Sequence, residues 1–375
     1  MPAGTAMPRT PEERRVLRAG CDLVLGDFTE TTPAEEFRAM AAWCEANGVE
    51  HDHYGHGPLV EGFETKIAAL LGKEAAVFMP SGIMAQSAAL KVWTEKARLP
   101  RFGMHPTAHL ALHEEEAYAT LLHCHGVMLG DRLRPMTAAD LNASEQPMAC
   151  VLVELPIREA GGQLPTWDQL EALKAAARQR SLPLHMDGAR LWECAAYYGK
   201  TCAEIAAGFE SVYVSMYKGI GALSGAVLAG SGDFVAQARL WRRRLGGTLF
   251  HLGPLVASAA MRFDERLALM PALYRRTLDL AADLAPHPAF RVNPATPQTN
   301  MLHLYVAGSV DTVAEARDRI AEEAHAWLLG GLRAAEVPGW CAAEFYVGDR
   351  LLHADPARVK QLFARFNELL MREGG

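Results

Sequence analysis

LPLHMDGARLWE occupies residues 182–193 and SVYVSMYKGIGALSG residues 211–225. Each stretch opens on a short apolar run and then breaks into glycine and charge. Leu182–Met186 and Val212–Ser215 read as strands, with a helix over Ala189–Tyr198 between them. The same alternation runs outward. Upstream, Ala75–Met79 is strand-like and Ser81–Lys96 helical; Met148–Glu154 is strand-like and Trp167–Arg180 helical. Downstream, Ala222–Ala229 is another apolar run, and 255–286 reads as one long helix or a helix pair. Continuous apolar strands separated by helices predict an α/β fold with a mainly parallel sheet covered on both faces.

A smaller β/α region closes the chain. It reads as strand Met301–Val306, helix Thr312–Leu332, strand Ala342–Val347 and helix Pro356–Arg372. At the other end, residues 1–10 are expected to be a loose tail and Pro11–Asp22 a helix. Pro33–Asn47 reads as a helix with Thr32 as N-cap and Glu35 completing a capping box. HDHYGHGP (51–58) is a loop, and the helix Leu59–Leu71 stops at Gly72. The expected division is a large domain over 11–255 and a linking helix with a small C-terminal domain over 256–375.

The chain has 375 residues, 37 Lys and Arg against 44 Asp and Glu, and a net charge of −7. That balance argues against a protein built to hold nucleic acid. Half of the residues are hydrophobic and 22% charged, which excludes global disorder. Seven cysteines occur without a CxxC pair, so neither a disulfide framework nor a zinc ribbon is expected. There is no run of 18 apolar residues and no signal-peptide pattern, so a cytoplasmic protein is expected, with no membrane partner.

In open α/β sheets ligands bind at the carboxyl ends of strands, so the polar residues there carry the functional reading. Lys218 follows VYVS among glycines and apolar residues. A partly desolvated lysine has a neutral amine able to form a Schiff base; a snorkelling surface lysine would occupy the same place. Asp187 closes its strand before Gly188, where it can pair with a cationic ring nitrogen or cap the next helix. Ser81-Gly82 joins a strand to a helix, which makes a phosphate site or an ordinary cap. His51, Asp52, His53 and His56, and His123 with His125, are metal ligands by type, but their spacing favours polar loops and no metal site is expected. Arg242-Arg243-Arg244 reads as a solvated or interface helix face.

The order Ser-Gly, Asp, Lys, with Asp187 and Lys218 31 residues apart, resembles the threonine aldolase/β-eliminating lyase family of fold-type I pyridoxal 5′-phosphate enzymes. The matching pieces are DFTETTPAEEFRAMAAW (27–43), YGHGPLVEGFETKIAALLGKEAAVFMPSGIMA (54–85), HMDGARLWE (185–193), SVYVSMYKGIGALSGAVLAGS (211–231), ARLWRRRLGG (238–247) and QTNM (298–301). The resemblance implies a transferase-like fold with a large cofactor domain and a small C-terminal α+β domain. It implies Lys218 as the lysine that carries the cofactor, Asp187 on its ring nitrogen, and Arg190 close to cofactor or substrate. Ser81, Gly82, Ile83 and Ser215 would lie at the phosphate. His109 would stack on the ring with Glu114 five residues on, and His113 is its rival. Tyr54 matches a loop that in the family approaches the neighbouring subunit's site, and a homodimer or homotetramer is implied, with helices in 11–50 at the contact.

The sequence departs from the family mainly at the substrate end. Ile83 stands where Thr is usual, and Glu154-Leu155-Pro156-Ile157 where Glu-Asn-Thr-His is usual. Gly246-Gly247-Thr248-Leu249-Phe250-His251 lacks an arginine, Tyr217 precedes the lysine in place of Ser, and Tyr346 replaces a carboxylate-binding arginine. Arg158, Arg190 and Arg350 are the candidates for that clamp. The implied reaction is cleavage of a threonine-like β-hydroxy-α-amino acid to glycine and an aldehyde through an external aldimine, with His109, His113 or a water as base. The alternatives are β-elimination, racemisation or transaldol chemistry on another amino acid. A non-catalytic binding protein is disfavoured by the intact lysine and aspartate.

Overall fold

A computed structural model describes residues 9–26, 28–29 and 31–373; most of the expected tail lies outside these. The chain forms two compact units, one over Thr31–Pro271 and one joining the described residues before Thr31 to Ala272 onward. The division thus falls later than 255/256, and the N-terminal helix groups with the C-terminal segment.

In the larger unit seven short runs pair into one sheet. They are β1 Ala75–Met79, β2 Arg101–Met104, β3 His125–Met128, β4 Val151–Glu154, β5 Leu184–Gly188, β6 Ser211–Ser215 and β7 Ala226–Gly230. Their order is β1-β7-β6-β5-β4-β2-β3. β7 runs antiparallel to both neighbours, and the remaining pairs are parallel. The reason is length: ten residues, 216–225, join β6 to β7, fewer than the dozen or so that a parallel crossover needs. β4 to β7 are buried along their whole length, as strands covered on both faces must be. β2 (RFGM) and β3 (HGVM) carry too few β-branched residues to be read from sequence.

The helix Gly82–Ala97 follows β1 and packs Ala85, Ala89, Leu90 and Trp93 into a core with Met79, Phe102, Leu152 and Tyr213. The helix expected over Ala189–Tyr198 is instead a 3-10 turn, Leu191–Glu193, and a separate turn, Ala195–Tyr198. Packing overrides periodicity there: Trp192 is fully buried and its indole N–H donates to the Ser215 carbonyl at 3.2 Å. The run Gly253–Leu284 is a single helix with Pro271 inside it.

In the smaller unit β8 Phe290–Asn293, β9 Met301–Ala307, β10 Leu332–Ala334 and β11 Trp340–Tyr346 form an antiparallel sheet in the order β10-β11-β9-β8. The helices Val310–Ala324 and Pro356–Glu373 share its core, with Leu304, Ile320, Phe345 and Phe363 buried together. The helix expected to reach Leu332 stops at Ala324. His325 takes a left-handed conformation (φ +49°), and Ala326–Trp327 then pairs with Leu23–Val24. No helix among the described residues is long and apolar enough to cross a membrane.

Candidate active site

Parallel strands end together, so the carboxyl ends of β4, β5 and β6 set their last side chains side by side. The chain leaves β4 toward β5 on one side, while β2 and β3 lie on the other, which makes this edge a topological switch point. Register pairs Glu154 with Asp187, and Asp187 with Tyr213. Asp187 is 2% exposed, and its Oδ1 accepts the Ala189 N–H at 3.1 Å. Lys218 is half-buried three residues beyond β6. Burial pulls its ammonium down from the ordinary lysine value; Arg190 and Arg158 add to this, against Asp187 and Glu154. Gly219 beside it is crowded, since a Cβ there would press on the Glu193 carboxylate, 3.1 Å from its Cδ, and on Met270.

Glu154 is the residue the sequence reading passed over. It is almost fully buried at the end of β4. Burial first, and the Asp187 carboxylate second, push its carboxyl up to about 7, against the Arg158 N–H, Lys218 and His109. The signal that singled out Asp187, a carboxylate closing an apolar strand, was present in MACVLVE as well.

At the other end of the site Ser81 caps Gly82–Ala97, its hydroxyl accepting the Met84 N–H at 3.2 Å. The Tyr213 hydroxyl lies against Gly82 so closely that no Cβ fits, its Cζ being 3.0 Å from where one would stand. Ile83 is exposed. Ser215 Oγ is buried, with the Tyr213 hydroxyl as its side-chain neighbour. Beneath them His185, pushed down to about 3 by burial and therefore neutral, bonds Ser211 Oγ and Gln86 Oε1, each at 2.8 Å. Trp93 Nε1 donates to the same Ser211 Oγ at 2.8 Å, so the network ties β5 and β6 to the helix behind Ser81.

His109 and His113 separate by their partners. His109 Nδ1 bonds Glu114 Oε1 at 2.9 Å and its backbone N–H donates to Glu154 Oε2 at 3.2 Å. His113 Nε2 bonds Glu159 Oε1 at 2.8 Å, and its ring centroid is 5.2 Å from that of His109. Arg158 donates its backbone N–H to Glu154 Oε1 at 3.1 Å. Arg190 precedes the 3-10 turn and, like Arg158, acts electrostatically on Lys218. Tyr54 packs on Phe250, ring centroids 5.3 Å apart. It lines a cavity of about 560 Å³ with His56, Arg239, Arg242, Arg243 and Thr248, among which none of the strand-end residues appears. Arg350 belongs to the smaller unit, on the helix Asp349–His353. Asp52 has a structural partner set: it accepts the N–H groups of Gly55, Leu252 and Gly253 at 2.8, 3.0 and 2.6 Å.

Residues 27–307 match the family model described as β-eliminating lyase. The chain is 27% identical over 313 residues to low-specificity L-threonine aldolase 1 of Arabidopsis thaliana, covering 81% of this chain and 86% of that one. It is 30% identical over 251 residues to the low specificity L-threonine aldolase of Escherichia coli (strain K12), covering 64% and 74%. A solved structure from Listeria monocytogenes, of a protein proposed to be an L-allo-threonine aldolase, superposes with a TM-score of 0.90 at 35% identity over 95% of this chain and 98% of that one. With this match spanning both units, and with a lysine and an aspartate at adjacent strand ends, the chain belongs to the β-eliminating lyase family and has the fold-type I architecture of pyridoxal 5′-phosphate enzymes.

Proposed function

We propose that this chain is a pyridoxal 5′-phosphate-dependent carbon–carbon lyase that cleaves a threonine-like β-hydroxy-α-amino acid to glycine and an aldehyde. The observation that carries this reading is a half-buried lysine, its charged form disfavoured, within electrostatic reach of a buried strand-end carboxylate. The residues present fit the cofactor. Lys218 Nζ is the amine to hold it, Asp187 the carboxylate for its ring nitrogen, and the buried Ser215 Oγ with the helix end at Ser81-Gly82 the place for its phosphate. Ile83 contributes only its backbone there. Bound in this place, the cofactor supplies an electron sink for charge developing at the substrate Cα.

The protein's own groups do the rest. The Glu114 carboxylate accepts from His109 Nδ1–H, which leaves His109 Nε2 able to take a proton. We assign it the β-hydroxyl proton, with His113, paired to Glu159, as the alternative base. As that proton leaves, the hydroxyl oxygen becomes the aldehyde carbonyl and the Cα–Cβ bond breaks. The electron pair stays with Cα, which takes up a proton to give glycine. Arg158 and Arg190 are the cations assigned to the substrate carboxylate. We also propose a cytoplasmic homodimer or homotetramer. Exposed Phe37, Ile83, Tyr217, Leu249 and Phe250 support this, being large apolar side chains that a monomer leaves in water.

Purified protein is expected to show an absorbance band at roughly 410–430 nm, lost in Lys218→Ala. It is expected to release glycine from L-threonine or L-allo-threonine. A band that survives the substitution refutes the lysine's role, and a band without glycine from either substrate refutes the aldol reading. Light scattering reads the assembly; a single chain of 375 residues refutes the oligomer.

A further inference from the structure

Glu154 lies among these groups without a role in the steps above. Its two oxygens are divided between two segments. Oε2 accepts the N–H of His109, which opens the turn His109–Leu112 after β2, and Oε1 accepts the N–H of Arg158, which opens the turn Arg158–Ala160 after β4. The charged and titratable groups acting on it are Asp187 beside it on β5, Lys218 beyond β6, and the His109 imidazole, with Arg158 bonding through its backbone. We infer that Glu154 is a positioning residue: its carboxylate clamps the backbones of His109 and Arg158 together and so sets where the imidazole and the guanidinium meet the substrate. The catalytic consequence rests on the proposed function, while the clamp itself rests on the two hydrogen bonds.

The chemistry favours a carboxylate here. Above the pH near 7 at which Glu154 titrates, where the test is run, the ionised carboxylate is an acceptor at both oxygens, and its bonds to N–H groups are stronger than those of a neutral acceptor. A glutamine in the same place keeps one acceptor and turns an NH₂ toward the other N–H, so one of the two segments is released. An aspartate keeps the charge on an arm one methylene shorter and does not span both donors. Glutamine removes one of the two carboxylates acting on Lys218 and aspartate keeps it, and both leave Lys218, Asp187 and the Ser81 helix end in place as the cofactor's own ligands.

The test compares the cofactor-loaded wild type with Glu154→Gln, reading amide hydrogen exchange, cofactor absorbance and kinetics on L-threonine. The clamp predicts that the cofactor's absorbance band is retained and that exchange is at least tenfold faster only in segments 105–112 or 155–162. It also predicts a kcat/KM at least tenfold lower. Wild-type exchange in both segments overturns the inference. So does faster exchange spread evenly over the unit, which marks a residue that only stabilises the fold. If Glu154→Gln does not fold, Glu154→Asp is read for the same local pattern. If the wild type cleaves no threonine, the proposed function fails while the exchange measurement still decides the clamp.

Discussion

Replacing Glu154 by glutamine should change how stability depends on pH, with a calculable sign. Glu154 titrates near 7 in the folded protein, against 4.5 in the unfolded chain, because it is buried and has the Asp187 carboxylate as its neighbour in register. Between these values the folded state binds the extra proton, so stability falls as pH rises. The contribution is fully present below about pH 4.5 and is lost by about pH 7. Holding that proton from 4.5 up to about 7 is worth on the order of 3 kcal/mol, at about 1.4 kcal/mol per pH decade. For a unit of this size that corresponds to a melting temperature change of about 6 °C. Glutamine carries no titrating proton, so the variant lacks this slope. The assay is thermal denaturation of cofactor-free wild type and Glu154→Gln at intervals from pH 4 to 8. The difference between them cancels the titrations they share. The wild type should lose about 3 kcal/mol relative to the variant across the window. Parallel curves refute the burial and Asp187 argument. A wild type that gains on the variant as pH rises would place Glu154 below its ordinary value and reverse the reasoning.

Gly82→Ala should cost about 1–3 kcal/mol, because the new Cβ drives into the Tyr213 hydroxyl, which is buried and cannot swing away. Tyr213→Phe in the same chain should recover part of that loss in denaturant midpoint, the ring Cζ still standing 3.0 Å from the new Cβ, and no recovery at all would exclude the hydroxyl as the cause. Asp52→Asn should cost about 1–3 kcal/mol, since an amide cannot accept from all three N–H groups that Asp52 holds. Burial opposes the Asp52 charge, but those three donors outweigh it and keep its carboxyl below the ordinary value. The wild type should therefore lose stability relative to the variant as pH falls below about 4.

What was legible in the sequence follows from locality. Thr32 and Glu35 form the expected capping box, because cap and partner lie three residues apart and need no tertiary context. The strand Ala75–Met79 was read to the residue, because its apolar run ends at Pro80. The break in Ala189–Tyr198 was not legible, because the pull on Trp192 comes from Ser215, 23 residues away. Nor was the end of the helix at Ala324, because the strand after it pairs with Leu23–Val24 at the far end of the chain.

The same division holds at the site. Lys218, Asp187 and Ser81-Gly82 stood out as candidates from sequence alone, since each lies at or just beyond the end of an apolar strand. What Glu154 does was decided only by tertiary structure. Its carboxyl matters because register sets it beside Asp187 and because two segments separated in the chain bring their N–H groups to its oxygens. The choice between His109 and His113 turns likewise on partners, Glu114 and Glu154 for one and Glu159 for the other. A strand's end can be read from its own residues, but its neighbours are chosen by the pairing of the whole sheet, which no local pattern encodes.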